Sequence, residues 1–223
     1  MPKKFFISDL HLAEERPQTL ELFIDFLEAY PKSGDSVFIL GDLFDVWIGD
    51  DDDSLLALNI KRAFKEMSFN KINLYIQRGN RDFLLGKKFM QETGAKLLPD
   101  PVTINVTGKK TLLMHGDLLC SDDVNYLKAR KKLRNPIFQW IALRRSLESR
   151  RALAKKYREL SQNAIAEKDP NIMDAKNETI LKYLTKFKAD QLIHGHTHRP
   201  AIHKHTLKNG KIVKRINQRV HNE

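Results

Sequence analysis

Seven side chains with metal-binding atoms recur at one kind of place along the chain. Asp9-x-His11 opens the series and His196-x-His198 closes it. Between them lie Asp42 in Gly41-Asp42-Leu43-Phe44-Asp45, Asn80 in Gly79-Asn80-Arg81-Asp82, and His115 in His115-Gly116-Asp117. Each follows a short apolar run. A D-x-H or H-x-H triplet alone is common by chance, but side chains two apart in extended backbone share a face. The set offers two carboxylates, four imidazoles and one amide oxygen. Mixed nitrogen and oxygen donors suit Mn²⁺, Fe²⁺, Zn²⁺ or Mg²⁺, and the lack of thiolates argues against a structural zinc. Seven donors are too many for one catalytic ion with an open position. They suit two ions roughly 3.5–4 Å apart that share a carboxylate, and Asp42, the central one, is the natural bridge. A water between two such ions is acidified enough to serve as hydroxide at neutral pH. The chemistry predicted is hydrolysis of a phosphate ester or anhydride.

The apolar runs are the elements that must position these groups. Lys4–Ile7, Ser36–Leu40, Ile72–Ile76, Thr111–Met114 and Gln191–Ile193 read as short buried strands. Helical patterns lie between several of them: Leu20, Phe23, Ile24 and Leu27, then Leu56, Ile60, Ala63 and Met67. Strand–helix alternation predicts an α/β fold with ligands gathered beyond the carboxyl ends of the strands. A chain of 223 residues, 41% apolar, fits a single domain over 1–223. No stretch approaches the roughly 20 apolar residues of a membrane span. Met1-Pro2-Lys3-Lys4 runs into too short an apolar segment for a signal peptide, and the one cysteine, Cys120, allows no internal disulfide. A cytoplasmic location is expected.

The net charge of +11 is concentrated. Between Tyr126 and Leu160 stand twelve Lys or Arg against Glu148 and Glu159. These flank the apolar Ile137-Phe138-Gln139-Trp140-Ile141-Ala142-Leu143, and Asn135-Pro136 marks a helix start or a break. Residues from about 124 to 170 are expected to be helices inserted over the strand ends as a cap. The charge implies an anionic partner. With few aromatics and no nucleic-acid module in the segment, an anionic amphiphile at a membrane surface fits better than nucleic acid. Trp140 and its neighbours belong either to that contact or to a helix packed on the domain.

The five motif blocks, in this order, resemble the signature of the calcineurin-like metallophosphoesterases. The resemblance implies a sandwich of two β-sheets flanked by helices. Longer strings add a closer likeness to the UDP-2,3-diacylglucosamine diphosphatase family of the lipid A pathway. They include Trp47-Ile48-Gly49-Asp50-Asp51, Gly79-Asn80-Arg81-Asp82-Phe83-Leu84-Leu85-Gly86, Cys120-Ser121-Asp122-Asp123, Ile172-Met173-Asp174 and His194-Gly195-His196-Thr197-His198-Arg199-Pro200. That resemblance implies two Mn²⁺, one held by Asp9, His11, Asp42 and His198, the other by Asp42, Asn80, His115 and His196. It implies substrate contacts at Asn80, Arg81, Asp123, Ser161, Lys168 and His196, with Asn80 and Arg81 catalytic. It further implies a lipid-linked nucleotide substrate, an apolar chamber for acyl chains, and a peripheral place on the cytoplasmic face of the inner membrane. Two departures stand out: Ile165 replaces the Asn of the family pattern, and the stretch after Val213 is short enough to leave the second sheet lacking edge strands.

Arg81 supplies a separate clue. Protein phosphatases of this superfamily carry a His after the Asn, which protonates an alkoxide leaving group. An arginine stabilises phosphoryl charge but gives up no proton. It suits a leaving phosphate, whose second pKa is about 6, and therefore an anhydride. The rivals are another dinuclear enzyme, a nuclease or cyclic-nucleotide phosphodiesterase, and a non-catalytic nucleic-acid- or membrane-binding protein on the same fold. Asp45 and Asp117 are read as supports of the ligands, His194 as a core hydrogen-bonder, Asp50 to Asp53 as a solvated turn or helix start, and Cys120 as a packed residue.

Overall fold

A computed structural model describes residues 2–166, 174–207 and 210–217, with the side chains of 160–166 excepted. The first sheet joins β1 (Lys4–Ile7), β2 (Ser36–Leu40), β3 (Asn73–Gln77) and β4 (Lys96–Leu97) in that order, all parallel. The second contains β5 (Val102–Val106), β6 (Lys109–Met114), β7 (Gln191–His194), β8 (Ala201–Thr206) and β9 (Ile212–Asn217), in the order β5-β6-β7-β9-β8. β6, β7 and β9 run parallel; β5 and β8 pair antiparallel at the two edges.

Period-two alternation decides which face meets what. Val37 and Ile39 of β2 join a core on the outer side of the first sheet. Phe38 and Leu40 point the other way and pack with Leu113 and Ile193 of the second sheet. Phe6, Phe38 and Tyr75 hold equivalent registers on adjacent strands and stack, with centroids 5.1 and 4.7 Å apart. The outer core is closed by α1 (Pro17–Ala29), α2 (Leu55–Phe69) and α3 (Lys87–Thr93). Phe23, Leu27, Ile60 and Met67 lie buried there, and Leu20, Ile24, Leu56 and Ala63 pack beside them, as their spacing predicts. α1 starts on Pro17, and α2 is capped by Ser54 Oγ, which accepts from Ala57 N at 3.2 Å. α7 (Asn177–Phe187) covers the far side of the second sheet with Ile180 and Leu184. The result is a helix–sheet–sheet–helix sandwich.

Between β6 and α7 come α4 (Val124–Leu133), α5 (Pro136–Leu143) and α6 (Leu147–Ala166). Asn135 Oδ1 caps α5, accepting from Ile137 N at 2.8 Å, so Asn135-Pro136 is a helix start. Neither α4 nor α5 contributes a fully buried residue; polar bonds fasten them. Arg134 Nη2 donates to the carbonyls of Arg78 and Gly79, and Gln139 Nε2 to that of Phe83. On α6, Arg150 Nη1 donates to Ile48 O and Asp51 Oδ1, both at 2.7 Å, and Arg151 pairs with Asp53.

These bonds revise two sequence readings. Asp51 and Asp53 anchor α6, and Asp50 accepts from Gly86 N and Phe89 N at the start of α3, so this acidic run is more than a solvated turn. Several arginines of the basic segment are also spent inside the molecule, leaving less charge for a partner. The C-terminal stretch forms β9 in the interior of its sheet, with β8 beyond it as an edge. Among the described residues no helix is long and apolar enough to cross a membrane.

Candidate metal centre

All seven predicted ligands lie just past strand ends where the two sheets meet. Asp9, His11 and His198 bring one ligand atom each to within 4.8 Å of one another, and so do Asp42, His115 and His196. Asp42 joins the two groups. Its Oδ2 is 3.7 Å from His11 Nε2 and 3.8 Å from His115 Nε2. Asn80 Oδ1 sits 3.0 Å from His115 Nε2 and 3.1 Å from His196 Nδ1. Asp42 thus lies between the two candidate ligand groups.

The backbone is bent to do this. Asp9, His11, Asp42, His196 and His198 all have left-handed φ, between 48° and 71°. Gly79 must lack a side chain, because a Cβ would fall 2.0 Å from Asp42 Oδ1. Gly195 is held likewise by Asp9 Oδ2 at 2.3 Å. Asp82, wholly buried, ties the Asp42 and Asn80 loops together by accepting from Leu43 N at 2.8 Å and Gly79 N at 2.6 Å. Arg81 N donates to Asp42 Oδ1 and His196 N to Asp9 Oδ2, so each carboxylate keeps one oxygen directed at the centre. His115 Nδ1 donates to Leu40 O at 2.9 Å, which aims Nε2 inward, the usual arrangement of a ligating histidine.

Whether a divalent cation fits is answered by the atoms left over. Asp9 Oδ1 and His11 Nε2 are buried without hydrogen-bond partners. Buried acceptors are rarely left so unless an ion or water completes them. The field agrees. Burial, with His198 and Arg81 beside it, pushes His11 down to about 2, and burial with His115 pushes His196 down to about 3. Both imidazoles are therefore neutral, with lone pairs to offer. Burial, reinforced by Asp82 and Asp9, raises Asp42 to about 7. Burial alone would lower His115, but Asp42, Asp117, Asp9 and Asp100 outweigh it and carry it up to about 9. The space between Asp42 and His115 thus favours positive charge, and the donor set is right for hard or borderline divalent ions.

The supporting residues read from sequence have concrete partners. Asp45 lies 3.7 Å from His11 Nδ1, 3.8 Å from Arg81 Nη1 and 2.9 Å from Arg158 Nε. Asp117 accepts from Tyr126 and Arg130. His194 donates from Nδ1 to Gly195 O and accepts from Arg215 Nε, deep in the second sheet. Cys120 is packed and buried. Asp123 Oδ1 caps α4 through Tyr126 N. Lys168 and the side chains of Ser161 and Ile165 lie outside the described residues. Asp100, which accepts from His115 N at 3.1 Å, was missed; nothing in the sequence around it marks it.

Beside the centre is an apolar cavity of about 220 Å³. Trp47, Phe83, Leu84, Phe138, Ala142 and Tyr157 line it, and Asp45 and Arg81 form the wall shared with the metal centre.

The family model for calcineurin-like phosphoesterases matches residues 3–200, and the chain belongs to that family. Within it, the chain is similar to curated proteins named UDP-2,3-diacylglucosamine hydrolase. That of Tolumonas auensis is 42% identical over 213 residues, 96% of this chain and 87% of the relative. That of Pseudomonas entomophila is 42% identical over 210 residues, 94% and 87%. That of Histophilus somni is 41% identical over 203 residues, 91% and 87%. The likeness read from the motif strings and the likeness measured over the chain point to the same group.

Proposed function

We propose that the chain hydrolyses the pyrophosphate bond of UDP-2,3-diacylglucosamine, giving UMP and 2,3-diacylglucosamine 1-phosphate, with two Mn²⁺ as cofactors. The single observation that carries this is Asp42 Oδ2 standing between His11 Nε2 and His115 Nε2, which supports one carboxylate shared by two ligand groups. Asp9, His11, Asp42 and His198 would hold one ion, and Asp42, Asn80, His115 and His196 the other. When bound, such ions lower the pKa of water and neutralise phosphoryl oxygens.

The chain's own groups supply the rest. Water forms a bond to the α-phosphorus; the bond from that phosphorus to the bridging oxygen breaks, its electron pair leaves on the lipid phosphate, and the protons of the water pass to solvent, since both product phosphates ionise with a second pKa of about 6. No acid is needed at that oxygen, in keeping with Arg81. Its Nη1 is buried, 3.8 Å from Asp45 Oδ1 and without a hydrogen-bond partner, and is assigned to an equatorial oxygen as charge builds. Asn80, His196, Asp123, Ser161 and Lys168 are assigned with it to substrate contacts. The cavity shared with Arg81 and Asp45 is assigned to acyl chains, with residues of about 124–170 as its cap. Ile137, Trp140 and Ile141 are exposed on α5, and Arg144 lies over the Trp140 ring at its end. This apolar and basic face is assigned to the cytoplasmic side of an anionic membrane.

The test is hydrolysis in ¹⁸O water. Label in UMP is expected. Label in the sugar phosphate would exclude attack at the α-phosphorus. A His11→Ala chain that bound Mn²⁺ normally and kept its activity would end the dinuclear assignment.

A further inference from the structure

α4 sets two side chains one turn apart, Tyr126 and Arg130, against the back of the metal centre. Tyr126 Oη donates to Asp117 Oδ2 at 2.6 Å, and Arg130 Nε donates to the same oxygen at 2.5 Å. Arg130 Nη2 donates to Asp100 Oδ2 at 3.0 Å. Asp100 Oδ1 in turn accepts the backbone N–H of His115 at 3.1 Å. The Tyr126 ring lies 6.0 Å from that of His196. Asp117 is fully buried and Asp100 nearly so, and two carboxylates this deep repel unless a cation lies between them. Arg130 reaches both. Arg134 is the next nearest guanidinium, but it stands 4.0 Å from Asp100 and is committed to the carbonyls of Arg78 and Gly79.

We propose that Arg130 is a positioning residue of the metal centre: by bridging Asp100 and Asp117 it fixes His115 from behind and holds Tyr126 against His196. This rests on the dinuclear reading and adds that α4, the first helix of the cap segment, is part of the metal site's own scaffold. Arg130 touches neither substrate nor ion. It governs the ion held by Asp42, Asn80, His115 and His196, and leaves the one at Asp9, His11 and His198 alone.

The test uses the full chain with Arg130→Met, Arg130→Lys and, as a control for lost stability, Phe64→Leu in the wholly buried core under α2. Mn²⁺ binding is titrated calorimetrically, and turnover of bis-p-nitrophenyl phosphate is measured. Arg130→Met is expected to weaken one of the two Mn²⁺ by roughly 10–100-fold, the usual effect of removing an outer-shell partner. Its kcat falls in step while KM changes little. Arg130→Lys keeps the charge but loses the two-armed reach, and falls between Arg130→Met and wild type. Phe64→Leu lowers Tm without moving Mn²⁺ affinity. Arg130→Met that binds both Mn²⁺ like wild type overturns the proposal; if that variant does not fold, unchanged affinity in Arg130→Lys does so. A wild-type chain that bound Mn²⁺ but left UDP-2,3-diacylglucosamine intact would overturn the substrate reading instead, and the affinities would still decide the role of Arg130.

Discussion

The cavity beside the metal centre gives the sharpest prediction, because its filling separates lipid binding from phosphate chemistry. Ala142 on α5 lines it, together with Trp47 and Leu84. A volume of about 220 Å³ holds roughly seven groups the size of a water or methylene, at about 30 Å³ each. At about 0.8 kcal/mol per buried methylene, a fully occupied cavity contributes at most about 6 kcal/mol to acyl-chain binding. Ala142→Phe adds six carbons to the side chain and is expected to displace at least half of that content. The loss is about 3 kcal/mol, or roughly 100-fold in kcat/KM. The assay compares UDP-2,3-diacylglucosamine with bis-p-nitrophenyl phosphate, which has no acyl chain. Only the lipid nucleotide is expected to suffer, chiefly through KM, and the small substrate stays at the wild-type rate. Loss on both substrates together would mean that α5 shapes the metal centre. No loss on either would mean that acyl chains bind elsewhere.

Three further outcomes follow from named contacts. Asp82→Ala strands the buried N–H groups of Leu43 and Gly79; at roughly 1–3 kcal/mol per stranded donor the total is about 3 kcal/mol, and calorimetry should show Tm lower by roughly 6–12 °C. Arg150 holds the Asp51 carboxyl below the usual carboxylate range. A depressed folded-state pKa stabilises above the unfolded value of about 3.9 and is lost as pH falls through the folded value. The Tm gap between wild type and Arg150→Ala should therefore be full at neutral pH and narrow below about pH 4, and a gap that widened in acid would refute the pairing. Asp51 is half exposed, so its share is small, about 1 kcal/mol. The bonds from Arg150 to the Ile48 and Arg145 carbonyls should leave a residual gap. Burial pushes the Cys120 thiol up to about 12; a disulfide reagent at pH 8 should leave it untouched until denaturant is added, and immediate labelling would contradict its packing.

The sequence revealed the candidate ligands and concealed what steadies them, for a physical reason. Strands such as Ser36–Leu40 are buried on both faces, so they read as apolar runs, and the ligands follow them at once. That places Asp9, Asp42, Asn80 and His115 without reference to tertiary structure. β8 and β9 read poorly because their faces mix Lys, Arg and His with Ile and Val, and β9 is defined mainly by its two partners. The supports are harder still. Asp100, Asp82 and Arg130 act through partners 15, 39 and 13 residues away in sequence, and an isolated Asp or Arg announces no such bond. For the same reason the basic segment looked like a surface for anions, although Arg130, Arg150 and Arg151 are engaged by acids of the chain itself.

The left-handed backbone at five of the seven ligand positions connects the fold to the chemistry. For ordinary L-residues that conformation costs roughly 1–2 kcal/mol each. Five together approach the whole net stability of a typical domain, about 5–15 kcal/mol. The burden can be carried because the surroundings over-determine the turns: Phe38, Leu40, Leu113 and Ile193 lock the sheets together directly beneath them, and Asp82 binds two of the loops. It is also lighter here than elsewhere. Asp and His are among the few types that enter this region with several-fold enrichment, and they are the donors a divalent ion requires. Where a parallel strand runs out, the left-handed residues are themselves the candidate ligands: Asp9 and His11 after β1, Asp42 after β2, His196 and His198 after β7. Repeating that device on β1, on β2 and after β7 brings three separate loops onto a common centre. The residue types the metal chemistry needs are thus the ones the strained backbone tolerates, which is why the motif can be so short and still be so specific.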